Sequence, residues 1–306
     1  MINKQNKKIV YHPKYHRQDQ QDIRLAKNLY QRFRYGLIKR HFHYLTSGFR
    51  VLPNFFVIGG VRCGTTSLYH YLGQHNCIKR AAYDEIGYFD DNFHLGLNWY
   101  RSLFPTKFMQ KKIESEYKKF LTYDVTPFYI YNPLVVDRIF KFSPNAKIIA
   151  VLRNPIDRAY SNYNSKMQEE GDTKTTFEEI INAEIEIIEK NKKNIDDYAF
   201  LVNTFYELLL ARGFYAKQLE FWFKKFPRKN ILLISSEELA TNTDKTISEI
   251  FEFLEVPIQK ISDLTKQNEI KYPKMKDSTR EILINFFKPY NEKLFGMLGR
   301  RFNWNE

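Results

Sequence analysis

Cysteine is nearly absent from the chain: Cys63 and Cys77 are the two in 306 residues. They cannot build a disulfide framework, and without a second pair or clustered histidines they spell no zinc site. No run approaches the roughly 18 apolar residues that a membrane-crossing helix needs. Glycine and proline are scarce, at 12 and 11, which excludes collagen-like and low-complexity chains. Met1 to Lys8 is polar with no apolar stretch behind it, so a secretory leader is not expected. Instead the chain holds 43% hydrophobic residues, including 26 Phe and 21 Tyr. That suits a globular protein long enough to bury a core without staples.

Charge is unevenly placed. The net charge is +13, yet residues 1–50 hold twelve Lys and Arg against Asp19 and Asp22. The first fifty residues therefore carry +10 and the other 256 only +3. Within them Ile23, Ala26, Leu29, Tyr30, Phe33 and Leu37 follow helical spacing among Arg24, Lys27, Arg32, Arg34, Lys39 and Arg40. A basic amphipathic helix is expected there. Either its stripe packs on the domain, or it docks on an anionic membrane or polyanion. The division expected is a basic arm over 1–51 and a catalytic domain over 52–306.

Beyond the arm, short apolar runs alternate with helical stretches. Strands are expected at 54–60, 147–152 and 230–235. Helices are expected at 68–74, 156–168, 176–192, 198–226, 244–256 and 278–299, with Gly299 as a stop. The alternation implies an α/β fold, a parallel sheet with helices on both faces.

Chemistry concentrates after the first strand, in Gly60-Val61-Arg62-Cys63-Gly64-Thr65-Thr66-Ser67. Strand, glycine-bearing loop and helix form a phosphate cradle: glycines admit backbone N–H groups, and the helix start adds positive potential. Thr65, Thr66 and Ser67 add hydroxyls, and Arg62 adds a forked cation. The loop is not a Walker A motif, because no Lys precedes the hydroxyls. The apolar strands end in Arg153 and Ser235, not in the acid that would position magnesium.

These residues resemble the sulfotransferases that use 3′-phosphoadenosine 5′-phosphosulfate (PAPS), in the branch of heparan sulfate sulfotransferases and their microbial relatives. That family's first loop, Lys-Xaa-Gly-Thr-[Ser/Thr/Arg], stands here as Arg62-Cys63-Gly64-Thr65-Thr66. Its second element, Arg-Xaa-Pro-Xaa-Xaa-Arg-Xaa-Xaa-Ser, stands complete from Arg153 to Ser161. Weaker echoes, among them Trp99-Tyr100, Asp124-Val125-Thr126-Pro127 and Tyr272-Pro273, extend the resemblance over roughly 52–304.

The resemblance implies a P-loop-like sulfotransferase fold and PAPS as co-substrate, with no metal. Arg62, Cys63, Gly64, Thr65, Thr66 and Ser67 would hold the 5′-phosphosulfate. Arg153, Ser161 and Lys271 would hold the 3′-phosphate, and Glu85 would be the base. Two departures stand out. Arg62 replaces the usual Lys, so its role is electrostatic, since a guanidinium stays charged. Asp84 and Gly87 replace a Lys and a His around Glu85, and the Asp84–Glu85 pairing is expected to raise one carboxyl pKa.

The implied reaction is sulfuryl transfer to a hydroxyl or amine of a carbohydrate or glycolipid. Two other readings stand beside it: a P-loop nucleotide kinase or ATPase, and an inactive polyanion- or membrane-binding module. The expected location is the cytoplasm, with peripheral membrane contact through residues 1–50. Nucleic acid is not an expected partner.

Overall fold

The structure, a computed structural model, describes residues 43–170, 175–194 and 207–304. The helix expected over 23–40 lies outside the described residues. Five parallel strands form the sheet: β1 (Phe55–Val57), β2 (Ile78–Arg80), β3 (Leu121–Val125), β4 (Lys147–Leu152) and β5 (Ile231–Ser235). Their order is β2-β3-β1-β4-β5. The helices that matter below are α1 (Thr65–Leu72), α2 (Gly96–Arg101), α3 (Lys107–Tyr117), α4 (Pro133–Phe142), α5 (Pro155–Glu170), α6 (Phe177–Lys190), α7 (Tyr215–Lys225), α8 (Ser236–Thr241), α9 (Thr243–Leu254) and α10 (Asp277–Leu298).

The period-two alternation of the strands divides the core in two. Phe56, Ile58, Ile148, Ala150 and Leu152 face a cluster with α4, α5, α6, α7 and α10. Phe55, Val57, Tyr123, Val125, Ile149 and Val151 face another with α1, α8 and α9. Each large apolar side chain so buried contributes about 1.5–3 kcal/mol. A sheet covered on both faces is what the sequence implied. None of the described helices is long and apolar enough to cross a membrane.

Two strands were not expected. β2 is three residues long and reads Ile-Lys-Arg; β3 reads Leu-Thr-Tyr-Asp-Val, with polar residues alternating through a wholly buried strand. Neither is an apolar run. Of the long helix expected over 198–226, residues 198–206 lie outside the described residues, and in the remainder the α-helix starts only at Tyr215, as α7. Before it, the amides of Leu209 and Leu210 donate to the Glu184 carboxylate on α6, both at 2.7 Å. An acid from another element takes donors that a helix would have used for its own carbonyls. The expected stop at Gly299 is present, in the left-handed conformation with φ 62°.

From β1 the chain crosses to β2 on one side, and from β4 to β5 on the other. The direction therefore reverses between the neighbours β1 and β4, where open α/β sheets form a ligand crevice at their carboxyl ends.

Candidate active site

At that crevice β1 and β4 run unusually close. The amides of Ile58 and Gly60 continue the ladder past β1, donating to the carbonyls of Ile149 (2.9 Å) and Val151 (3.0 Å). A Cβ on Gly59 would lie 2.5 Å from the Val151 nitrogen, so only glycine permits this approach. Arg62 (φ 67°) and Gly64 (φ 90°) then turn the chain through left-handed conformations into α1. Gly64 is the N-cap and supplies no side-chain acceptor. The first amides of α1 are left to whatever anion enters the loop.

The two sequence motifs meet here. Arg62 Nε donates to Ser161 Oγ at 3.2 Å, and Arg153 Nη1 donates to the Arg62 carbonyl at 3.0 Å. Tyr215 OH donates to the Arg153 carbonyl at 2.9 Å, fixing that strand end from α7. Burial, and then Arg153 beside it, push Arg62 below the usual guanidinium range. Among the described residues neither Arg62 nor Arg153 has a carboxylate ion-pair partner. Two cations joined at the strand ends, with Glu169 and Glu85 within electrostatic reach of Arg62 but none of the described carboxylates in ion-pair contact, favour an anion between them.

A strap over residues 264–268 crosses the start of α1. Gln267 N donates to Ser67 Oγ at 2.9 Å, Asn268 Nδ2 to Thr66 Oγ1 at 3.3 Å, and Arg62 Nη2 to the Asn268 carbonyl at 3.4 Å. Gln267 and Asn268 were not singled out from sequence, which offered only Lys271 from this region. Lys271 is exposed and is tied in through its carbonyl, which accepts from Gln168 Nε2 at 3.2 Å. Tyr272, the next residue, lies within electrostatic reach of Arg153.

The remaining loop residues divide. Thr65 and Ser67 are buried and Thr66 is half-buried, so Thr66 is the hydroxyl best placed towards the crevice mouth. Cys63 is fully buried, and burial pushes its thiol up to about 11. Its contribution to the loop is its backbone. Behind it lies Arg158, also fully buried, donating to the Leu209 carbonyl. Its Nε and Nη1 have no partner among the described residues.

Glu85 sits on a turn suspended from β3. Its amide donates to the Val125 carbonyl at 2.6 Å, and its own φ is 54°. Two further amides of the turn are held by hydroxyls: Gly87 N donates to Thr126 Oγ1 (3.2 Å) and Phe89 N to Tyr129 OH (3.1 Å). Both hydroxyls in turn donate to Asp124, Thr126 to Oδ1 at 2.8 Å and Tyr129 to Oδ2 at 2.9 Å. Tyr100 OH donates to Oδ2 as well, at 2.8 Å. Burial pushes the Asp124 carboxyl up to about 6, against the hydroxyl bonds that lower it. The apolar strands read from sequence end in Arg153 and Ser235; β3, a strand not expected, lies beside β1 and carries Asp124. Both of its oxygens are nevertheless taken by hydroxyls of its own side of the core.

Asp84 and Glu85 serve different surroundings. Asp84 lines a cavity towards β2 and α1, whereas Glu85 lies within electrostatic reach of Arg62.

The sequence profile of the sulfotransferase domain matches residues 52–291. The chain belongs to this family. It is 28% identical to the membrane-associated sulfotransferase kil1 of Dictyostelium discoideum, over 83% of this chain and 66% of that protein. It is 27% identical to the mouse heparan sulfate glucosamine 3-O-sulfotransferase 3A1, over 85% of this chain and 66% of that one. The chain thus spans just under two thirds of either relative. Among solved structures, a sulfotransferase from Alicyclobacillus acidocaldarius superposes with a TM-score of 0.63 at 26% identity, covering 84% of this chain and all of that one. Within this sulfotransferase domain, the β1 loop, the β4 end and the strap converge on one crevice.

Proposed function

We propose that the protein transfers a sulfuryl group from PAPS to a hydroxyl or amine of a carbohydrate or glycolipid. The observation that carries this reading is the pair Arg62–Arg153, joined at the carboxyl ends of β1 and β4 beside uncapped amides, with no carboxylate in ion-pair contact among the described residues. The chemistry of that set fits a nucleotide with phosphates at two positions. Arg62, Thr66 and the amides of the Gly64 turn would hold the 5′-phosphosulfate. Arg153 and Ser161 would hold the 3′-phosphate by charge-assisted hydrogen bonds.

When bound, the donor supplies an electrophilic sulfuryl group and a bisphosphate leaving group. Arg62 stabilises charge growing on the bridging oxygen without giving up a proton. Glu85, on its turn from β3, takes the proton of the acceptor hydroxyl or amine. The heparan sulfate sulfotransferases among the relatives favour a glycan acceptor. The kil1 relative, named as membrane-associated, favours peripheral membrane contact. The cytoplasmic part of the expected location has no support from the fold or from the relatives.

The kinase reading is disfavoured by the missing loop Lys and by an Asp124 whose oxygens are already engaged. Thermal melting separates the two. Adenosine 3′,5′-bisphosphate should stabilise the chain, by about 2.7 kcal/mol at a hundredfold excess over Kd. ATP with magnesium should do much less. The reverse order would sink the sulfotransferase reading, and labelled PAPS with a panel of glycans and glycolipids then identifies the acceptor.

A further inference from the structure

A second cationic site lies outside the donor crevice. A cavity of about 880 Å³ opens between β2, the end of α1 and the start of α3. Its walls include Arg50, Lys79 and Arg80, together with His70, and among the described residues Asp84 is the single acid lining it. Among the described residues none of the three cations is in an ion pair. Arg50 Nε is buried with no hydrogen-bond partner there, while its Nη1 donates to the Phe104 carbonyl at 2.8 Å. Arg80 is held in place rather than loose. Its stem lies against Gly73, where a Cβ would come within 2.4 Å of it. Its Nη1 bonds His70 Nδ1 at 3.0 Å, and its guanidinium sits 5.4 Å from the Tyr69 ring centroid. Burial, and then Arg80, hold His70 below its ordinary pKa, so it stays neutral beside the cations. Arg50 and Arg80, held in place and in no ion pair among the described residues, are arranged for an anion, with Lys79 adding charge to the wall.

The surface beside this cavity is apolar. Leu45 is 80% exposed, Phe49 73%, Phe108 79% and Met109 42%. These belong to one face, because Arg50 pairs with Thr106 across a β-bridge and Val51 N donates to the Pro105 carbonyl at 3.0 Å. Arg50 and Met109 line the cavity themselves. Large apolar side chains standing in solvent next to a basic pocket form the two halves of an interfacial site. Arg50, the last residue of the segment that carries +10, lies on this face.

We infer that this face docks on an anionic bilayer, with a lipid headgroup phosphate in the Arg50–Lys79–Arg80 cavity and Leu45, Phe49 and Phe108 entering the interface. Tyr83 and Asp84, which complete the cavity wall, lead directly into Glu85. The docking face and the candidate base thus share one segment. This goes beyond the transferase reading and is tested by a different assay.

The test uses the full chain, with phosphatidylcholine vesicles with or without phosphatidylserine, in a sedimentation assay at low salt. The parent protein should bind only the anionic vesicles. Lys79→Gln with Arg80→Gln should weaken binding by about 25-fold, since each cation at an anionic surface contributes roughly fivefold. Leu45→Ser, Phe49→Ser and Phe108→Ser together should also release the protein; these side chains are exposed, so the variant keeps its core and serves if the charge variant does not fold. Both should keep the melting shift with adenosine 3′,5′-bisphosphate, which reports the donor site alone. Two results would overturn the inference: unchanged vesicle binding in both variants, which would assign it to residues 1–42, or no binding by the parent. A third is displacement by a heparin oligosaccharide with the apolar variant indifferent, which would make the cavity a polyanion site.

Discussion

Arg153 is joined to the Arg62 carbonyl and its charge lowers the pKa of Arg62, so an anion bound at both would offset that repulsion. Arg153 reaches the crevice from the end of β4, and its loss should weaken bisphosphate binding by about 1.5–3 kcal/mol, the range for a hydrogen bond to a charged group. Adenosine 5′-phosphosulfate, without a 3′-phosphate, should be bound by Arg153→Ala almost as by the parent. Equal losses for both ligands in calorimetry would remove Arg153 from the 3′-phosphate. Glu85→Gln keeps the side-chain shape and removes the base. Turnover should fall roughly 10²–10⁴-fold with donor affinity intact. A variant of near-normal turnover would take Glu85 out of the chemistry.

Elements act here through single polar residues that tie one to another. Asp124 on β3 does not reach the crevice, yet through Thr126 and Tyr129 it fixes two amides of the turn that carries Glu85. It is a positioning residue. Asp124→Asn should lower kcat by roughly 10–100-fold, as small misplacements of a catalytic group do, while bisphosphate affinity stays unchanged; a joint loss of both would indicate general damage to the sheet. Glu184 on α6 ties down the 209–210 segment, and burial raises its carboxyl to about 7, against the two amide bonds. Asp124 and Glu184 are both raised in the folded state. Their share of stability is therefore complete below about pH 4 and is lost as pH rises through about 6 and 7. For Glu184 the loss is roughly 3 kcal/mol. Glu184→Gln should melt with a flatter pH dependence between about pH 5 and 8. An unchanged slope in differential scanning calorimetry would mean that another group dominates that window.

At the scale of the molecule, the sheet separates two tasks. The carboxyl ends of β1 and β4, with the strap at 264–268, form the donor crevice. The β2 edge, with residues 43–50 and α3, forms the basic and apolar face. Ligand binding at the first should leave the second unaffected. Adenosine 3′,5′-bisphosphate should slow amide exchange at 60–67 and 264–272, where Arg62 already donates to Asn268 and Ser67 accepts from Gln267, and not in α3. Equal protection in both places would mean that the bisphosphate stabilises the fold globally rather than closing the strap.

The phosphate loop, the Arg153–Ser161 run and the strands β1, β4 and β5 were legible because each is written contiguously: an apolar run, then glycines and cations. β2 and β3 were not: three residues are too few to show a period, and the polar alternation of β3 differs from the apolar run expected of a strand buried on both faces. Asp124 was visible as a motif residue, but its role was not, since a carboxylate becomes a scaffold only when three hydroxyls converge on it. The same holds for the strap. Arg62 meets Ser161 across 99 residues and Asn268 across 206, and contacts at that separation are set by sheet order. Local sequence determined which residues carry the charges. The tertiary structure decided which of those charges face each other, because only packing chooses the neighbours that desolvation and Coulomb forces act between.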